Sequence, residues 1–341
     1  VGSWASIEAS VLTPRAALSA AWVGDHVVVW GGENLDPNAV YPGELNDGAL
    51  FNPVTGEWEA LEPTGYRRQG ADIFGFGNEF VVFGGMIRAN LNGPYPVLQG
   101  FRKDLTSGQE KSIDGPIGVS YFGRSTLIDG DYVLWGNASQ LCRYSLTSSV
   151  WTCEDMQEFV DGPPGGWPIN DASAWMGNEF VSWGGLDSDG KEMATGWRLD
   201  IESRTWTPMS TVGAPEARVV PLLRWLDDRL LVAGGTRMDG TVLDSGGFYD
   251  PATDTWTGMT PTSGFSMSSA VVRAGDRVLF WDHQAATGGV YDFEKGTWTP
   301  VCTTNGMPEG NLGASATWTG SSLVVLGGAK SDTRIGAQLT L

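Results

Sequence analysis

The sequence predicts an all-β chain: a seven-bladed β-propeller of four-stranded antiparallel blades, the last blade closed by the N-terminal strand. Three recurring marks predict it. Apolar runs that end in Gly-Gly recur along the whole chain, 45 to 53 residues apart. A two-residue turn led by Gly or Asp precedes each run, and an aromatic-Asp-Pro phrase closed by Trp follows it. Self-similarity at such a period marks a repeat architecture, in which one unit cannot bury both faces of its sheet and must stack on its neighbours.

The clear runs are "HVVVWGG", "EFVVFGG", "EFVSWGG", "RLLVAGG" and "SLVVLGG", ending at Gly32, Gly85, Gly185, Gly235 and Gly328. Degenerate copies, "DYVLWGN" and "RVLFWDH", end at Asn137 and His283 and bring the count to seven. The turns before them are Gly24-Asp25, Gly77-Asn78, Asp129-Gly130, Gly177-Asn178, Asp227-Asp228, Gly275-Asp276 and Gly320-Ser321. These dipeptides suit hairpin turns that need φ > 0, so each unit opens with two linked strands, a and b. The third mark, as in "LFNPVTGEW" ending at Trp58 and "FYDPATDTW" ending at Trp256, is a second hairpin, strands c and d. Trp151, Trp206 and Trp298 close the same phrase, whereas unit 2 reads "DLTSGQE" and has no Trp. Four strands repeated seven times make a propeller. The units span about 15–61, 68–113, 120–155, 168–209, 218–259, 266–301, and 311–341 with 1–10, all in one domain over 1–341. Unit 7 ends after "IGAQLTL", a candidate strand c, and "GSWASIEA" at the chain start supplies its strand d with Trp4 in the closing place.

Composition narrows the function classes. With 48 Gly and 16 Trp in 341 residues, turns and large aromatic packing dominate, and Gly has no triplet period that would suggest collagen. A net charge of -19 argues against nucleic acid and anionic membrane surfaces as partners. No apolar run approaches the ~18 residues of a membrane helix, so membrane insertion is not expected. The start at Val1, without Met, fits a processed mature chain or a trimmed one.

Doubled glycine after an apolar strand, then an aromatic-Asp-Pro phrase and a spaced Trp, resembles the kelch repeat. The likeness covers nearly the whole chain. Its loop lengths and seven units are similar to bacterial exported kelch proteins and to the propeller of galactose oxidase. The resemblance implies that the d–a and b–c loops gather on one face around a central funnel, and that this face binds. Long loops there hold Tyr41, Tyr95 and Trp167, either as ligand contacts or as loop anchors. Counting nine residues back from each a–b turn aligns Arg15, Arg68 and Arg218 with Ser120, Pro168, Ser266 and Asn311. Three arginines at the funnel mouth suit a carboxylate or sulfate. The alternative is structural pairing with Glu62, Asp114 or Glu216. Asp72 and Arg124, five residues before their turns, fall side by side in the channel and should pair, as a structural pair or as a polar catalytic floor.

Other chemistry is set aside. Copper oxidase chemistry needs two His at one metal, and the repeat places His26 and His283 at opposite ends of their strands. Three scattered cysteines do not make a zinc site. "LDSDGKE" (186–192) holds part of a calcium loop's ligand set. No phosphate loop, dinucleotide fingerprint or nucleophile elbow occurs, and no cofactor is expected. The unit 1 hairpin pairs Asn52 with Glu57. Transferred to unit 3 by the offset from Trp58 to Trp151, that register sets Cys142 opposite Cys153, close enough for a disulfide. A disulfide implies an extracytoplasmic location: secreted, periplasmic or cell-surface. Cys302 is left over in a d–a loop. Two functions remain open: a binding module for a protein segment or glycan at the loop face, or a lyase, hydrolase or epimerase acting on an anionic sugar.

Overall fold

The computed structural model describes residues 1–8, 11–36, 43–88, 94–116, 122–128, 131–136, 140–155, 172–262, 270–282, 285–301, 314–327 and 336–341. These form an all-β structure with 54% strand and, among the described residues, no helix. Seven four-stranded antiparallel sheets hold nearly all of it among the described residues. In units 1 to 3, strands a to d are Ser19–Val23, His26–Trp30, Gly48–Phe51 and Trp58–Leu61; Asp72–Phe76, Glu79–Phe83, Gly100–Asp104 and Glu110–Ile113; Phe122–Ile128, Asp131–Gly136, Gln140–Ser145 and Val150–Asp155. In units 4 to 6 they are Ala172–Met176, Glu179–Trp183, Gly196–Asp200 and Thr205–Pro208; Leu222–Trp225, Leu230–Ala233, Gly246–Asp250 and Thr255–Met259; Ala270–Ala274, Arg277–Asp282, Thr287–Asp292 and Thr297–Pro300. Unit 7 has Ser315–Trp318, Ser322–Leu326 and Gly336–Thr340, and its fourth strand is Ser3–Ile7, paired Trp4 to Leu339. The N-terminal strand therefore completes the last sheet, as the repeat requires.

Local chemistry explains the units. In the six a–b turns that are described, the first turn residue has positive φ, from 59° at Gly77 to 89° at Gly320. Asp227 takes that place in unit 5 at 67°. In the c–d turns a side-chain oxygen accepts backbone N–H groups two or three residues on, as Asp104 does from Thr106 and Ser107 and Asp292 from Lys295. Backbone N–H donors lead in holding the Asp104 and Asp200 carboxyls below their ordinary pKa, while the Thr253 hydroxyl and the Lys295 ammonium lead for Asp250 and Asp292, with backbone N–H groups adding to both. Strand c begins with Gly in five units, and in unit 6 Gly288, its second residue, holds the matching place, because strand b lies too close for a side chain. A Cβ at Gly48 would sit 2.4 Å from the Val29 carbonyl oxygen, and one at Gly336 2.1 Å from that of Val325.

The sheets stack through their closing tryptophans. Four of them pack into the apolar cluster of the unit before: Trp58 with Val324 and Leu326, Trp151 with Phe83, Trp256 with Trp183, and Trp4 with Trp281 at 4.7 Å between ring centres. The indole N–H groups of Trp151, Trp256 and Trp298 donate to the main-chain carbonyls of Asp114, Ser210 and Thr260, just beyond strand d of the preceding unit. Strands a of consecutive units touch from unit 1 to unit 5 and from unit 6 through unit 7 back to unit 1.

Candidate functional site

Antiparallel order puts the b–c and d–a loops at one end of every sheet, and the a–b and c–d turns at the other. The predicted arginines sit in the d–a loops at that first end, not on strand a. Arg15–Ala16 forms a short pair with Glu33–Asn34 of its own b–c loop. Arg15, Arg68 and Arg218 are 3%, 2% and 0% exposed, and they do the same thing. Each donates from Nη1 to the carbonyl of the first Gly of its own Gly-Gly pair (Gly31, Gly84, Gly234) and to that of the residue just before strand c (Asp47, Gln99, Ser245). Arg15 adds a two-pronged bond to the Asp47 carboxylate at 2.9 and 3.0 Å. Arg218 adds the Glu216 carbonyl and Ser245 Oγ. Arg68 lies over the Tyr66 ring. Burial lowers the Arg68 and Arg218 pKa values to about 10, which leaves both charged at neutral pH.

The same arginines explain the glycines. The second Gly of one unit donates its N–H to the arginine carbonyl of the next: Gly32 to Arg68 at 3.0 Å and Gly185 to Arg218 at 2.9 Å. The first Gly must stay bare there, since a Cβ at Gly31 or Gly184 would lie 2.7 or 2.9 Å from that oxygen. Gly327 of unit 7 stands in the same relation to Arg15, with its virtual Cβ 3.2 Å from the Arg15 oxygen. One side chain and one carbonyl thus tie a b–c loop, its own sheet and the neighbouring sheet together. Of the three carboxylates named as partners, Glu216 meets Arg218, but through its main-chain oxygen. Its carboxylate holds Arg237 and the Ser245 hydroxyl instead.

Two residues beyond each arginine the backbone turns left-handed: Ala17 at φ 50°, Gly70 at 58° and Val220 at 49°. For a β-branched residue that conformation costs on the order of 1–3 kcal/mol. Val220 also precedes Pro221, whose ring favours an extended neighbour.

The remaining predicted residues are dispersed. Tyr95 is 45% exposed in a short hairpin, Met86–Arg88 against Pro94–Pro96, that rises from the b–c loop of unit 2. Tyr41 and Trp167 lie outside the described residues. Asp72 opens strand a of unit 2 opposite Phe83 and is exposed, not enclosed as expected of a channel position, so its carboxylate keeps its hydration there. Arg124 stands on strand a of unit 3 opposite Trp135, and its side chain lies outside the described residues, as therefore does its pairing with Asp72. His26 begins strand b of unit 1 with Nδ1 against Asp25, and His283 lies outside the described residues. No cluster of three or more His, Cys, Asp or Glu suited to a metal occurs among the described residues. Asp187 of the calcium-like loop accepts the backbone N–H groups of Asp189 and Lys191.

Cys142 and Cys153 are bonded, directly opposite each other on strands c and d of unit 3. Cys302 lies outside the described residues. No helix among the described residues is long and apolar enough to cross a membrane. No protein-family model and no curated protein matches the chain.

Proposed function

We propose that the chain is a closed seven-bladed propeller of kelch type, working outside the cytoplasm as a binding module whose loop face takes a protein segment or glycan. Closure is supported by the shared unit 7 sheet, by the contact of its strand a with that of unit 1, and by the approach of Gly327 to Arg15. An extracytoplasmic location is supported by the Cys142–Cys153 bond.

The carrying observation for function is how the arginines are used. They fix the loop bases from inside, so the loops are presented by a rigid frame while apolar side chains stand outward on them: Met86, Tyr95, Val220, Met238 and Val242. Rigid loops bearing exposed apolar side chains lose little ordering entropy on binding. Enzyme action on an anionic sugar would need guanidinium donors aimed at solvent, whereas Arg15 and Arg218 direct theirs to carbonyls and side chains of the fold. A glycan array, a peptide-binding screen and a turnover assay on uronic and sialic acids test this. Binding without turnover is expected, and turnover of an anionic sugar would overturn it.

A further inference from the structure

We infer that the loops of units 4 and 5 form a docking surface centred on Val220 for a polypeptide segment bearing apolar side chains flanked by lysine or arginine. This rests on the loop-face binding reading and narrows it to one place and one chemistry.

Val220 is the first observation. It is 63% exposed in a strained conformation, and its counterparts are Ala17 and Gly70, so the repeat itself asks for no β-branched side chain there. Packing within the chain does not offset the strain of so exposed a residue. An external contact would.

The surroundings extend the surface. Val219 exchanges both backbone hydrogen bonds with Thr236, and Thr236 bridges in turn to Val242. The chain between carries Met238 and Val242, 60% and 69% exposed. The Met238 N–H is held by the Glu192 carboxylate and Arg237 by Glu216, so three loops are locked together before anything binds. Three exposed large apolar side chains so close along paired loops are unusual on a soluble surface.

Charge selects the occupant. Residues 184–195, 209–221 and 234–245 contain six acidic and three basic side chains. Arg218 is buried and Arg237 is matched by Glu216, which leaves Lys191 against the remaining carboxylates. An apolar centre with an acidic rim favours a basic, apolar segment. It disfavours a second copy of this chain, whose net charge is -19.

The test measures the full chain against synthetic peptides with the same apolar positions and either Lys/Arg or Asp/Glu flanks. Basic-flanked peptides should bind about tenfold or more tightly than acidic-flanked ones, and added salt should narrow the gap. Met238→Ser with Val242→Ser should weaken binding about tenfold without lowering Tm. Val220→Gly should weaken binding and raise Tm together, an opposition that a purely structural residue would not show. Equal affinity for both peptide sets overturns the inference. Peptide binding that ignores all three substitutions overturns this placement and leaves the loop-face reading intact. No peptide or glycan binding at all overturns both. A dimer dispersed by the same substitutions overturns it in favour of self-association.

Discussion

Replacing Arg218 by Met tests whether the repeated arginines serve the frame or a ligand. The guanidinium is fully buried and donates to Glu216 O at 2.9 Å, to Gly234 O and Ser245 O at 2.8 Å, and to Ser245 Oγ at 3.0 Å. Met keeps much of the stem and leaves three main-chain oxygens without that donor. Hydrogen bonds from a charged group contribute about 1.5–3 kcal/mol each, but these share one side chain and water re-enters the gap, so about 3–4 kcal/mol is expected in total. An unfolding entropy of about 2.1 cal/mol/K per residue gives about 0.7 kcal/mol/K for 341 residues, hence a fall in Tm of about 5 °C. Arg218→Lys should lose most of the same stability, because one ammonium cannot reach acceptors set around a planar fork. Calorimetry or circular dichroism reads both variants. A Tm within about 1 °C of the parent would refute the clamp and return the arginines to ligand duty.

Deleting residues 1–10 removes strand d of unit 7 with buried Trp4 and Ile7, and should lower Tm by about 10 °C in the same melt. Cys142→Ala with Cys153→Ala opens a bond spanning 11 residues of sequence and should cost about 3 kcal/mol, or about 4 °C; non-reducing peptide mapping confirms the bond in the parent. Asp104, Asp200, Asp250 and Asp292 have carboxyl pKa values below the unfolded value. The unfolded chain therefore takes up protons first. The stability these groups contribute is present above the ordinary Asp pKa and is lost as pH falls through the lowered ones, so urea midpoints should hold near neutrality and drop below about pH 4.

What the sequence made legible is whatever has a letter and a period. The turn glycines, the cross-strand register of Cys142 with Cys153, and the closing role of Trp4 all follow from spacing, because a strand's side chains repeat with period two. The arginine geometry did not follow in the same way. Nine residues before each turn is a correct repeat position, but it falls in a loop, and the acceptors are carbonyls, which every residue has and no letter marks. A Gly as the first or second residue of strand c recurs in six units. Its reason, strand b's carbonyl about 2.1–2.5 Å from a would-be Cβ in most units, is a distance that only the fold supplies.

Unit 2 shows how a missing letter can mislead. Without the closing Trp it reads as a decayed copy, yet the junction with unit 1 is filled. Glu110 takes the Trp place opposite Lys103, and the Lys103 ammonium donates to the Glu62 carbonyl, the position that receives an indole N–H at other junctions. The lost ring volume returns two residues earlier on strand c, where Phe101 is fully buried between Trp30 and Tyr66; the matching residues are Ala49, Cys142, Gly247, Gly289 and Ala337, and in unit 4 Trp197, which is only partly buried. Two large rings should therefore compete for one space. Phe101→Ala alone should cost about 3–5 kcal/mol, and Glu110→Trp alone should overpack the junction and destabilise by about 1–3 kcal/mol. Together they should cost at least about 1 kcal/mol less than their sum, because the indole then occupies the gap left by the phenyl ring. Additivity within about 0.5 kcal/mol in urea unfolding would show that Phe101 and the absent Trp fill different spaces, and unit 2 would be a decayed copy after all.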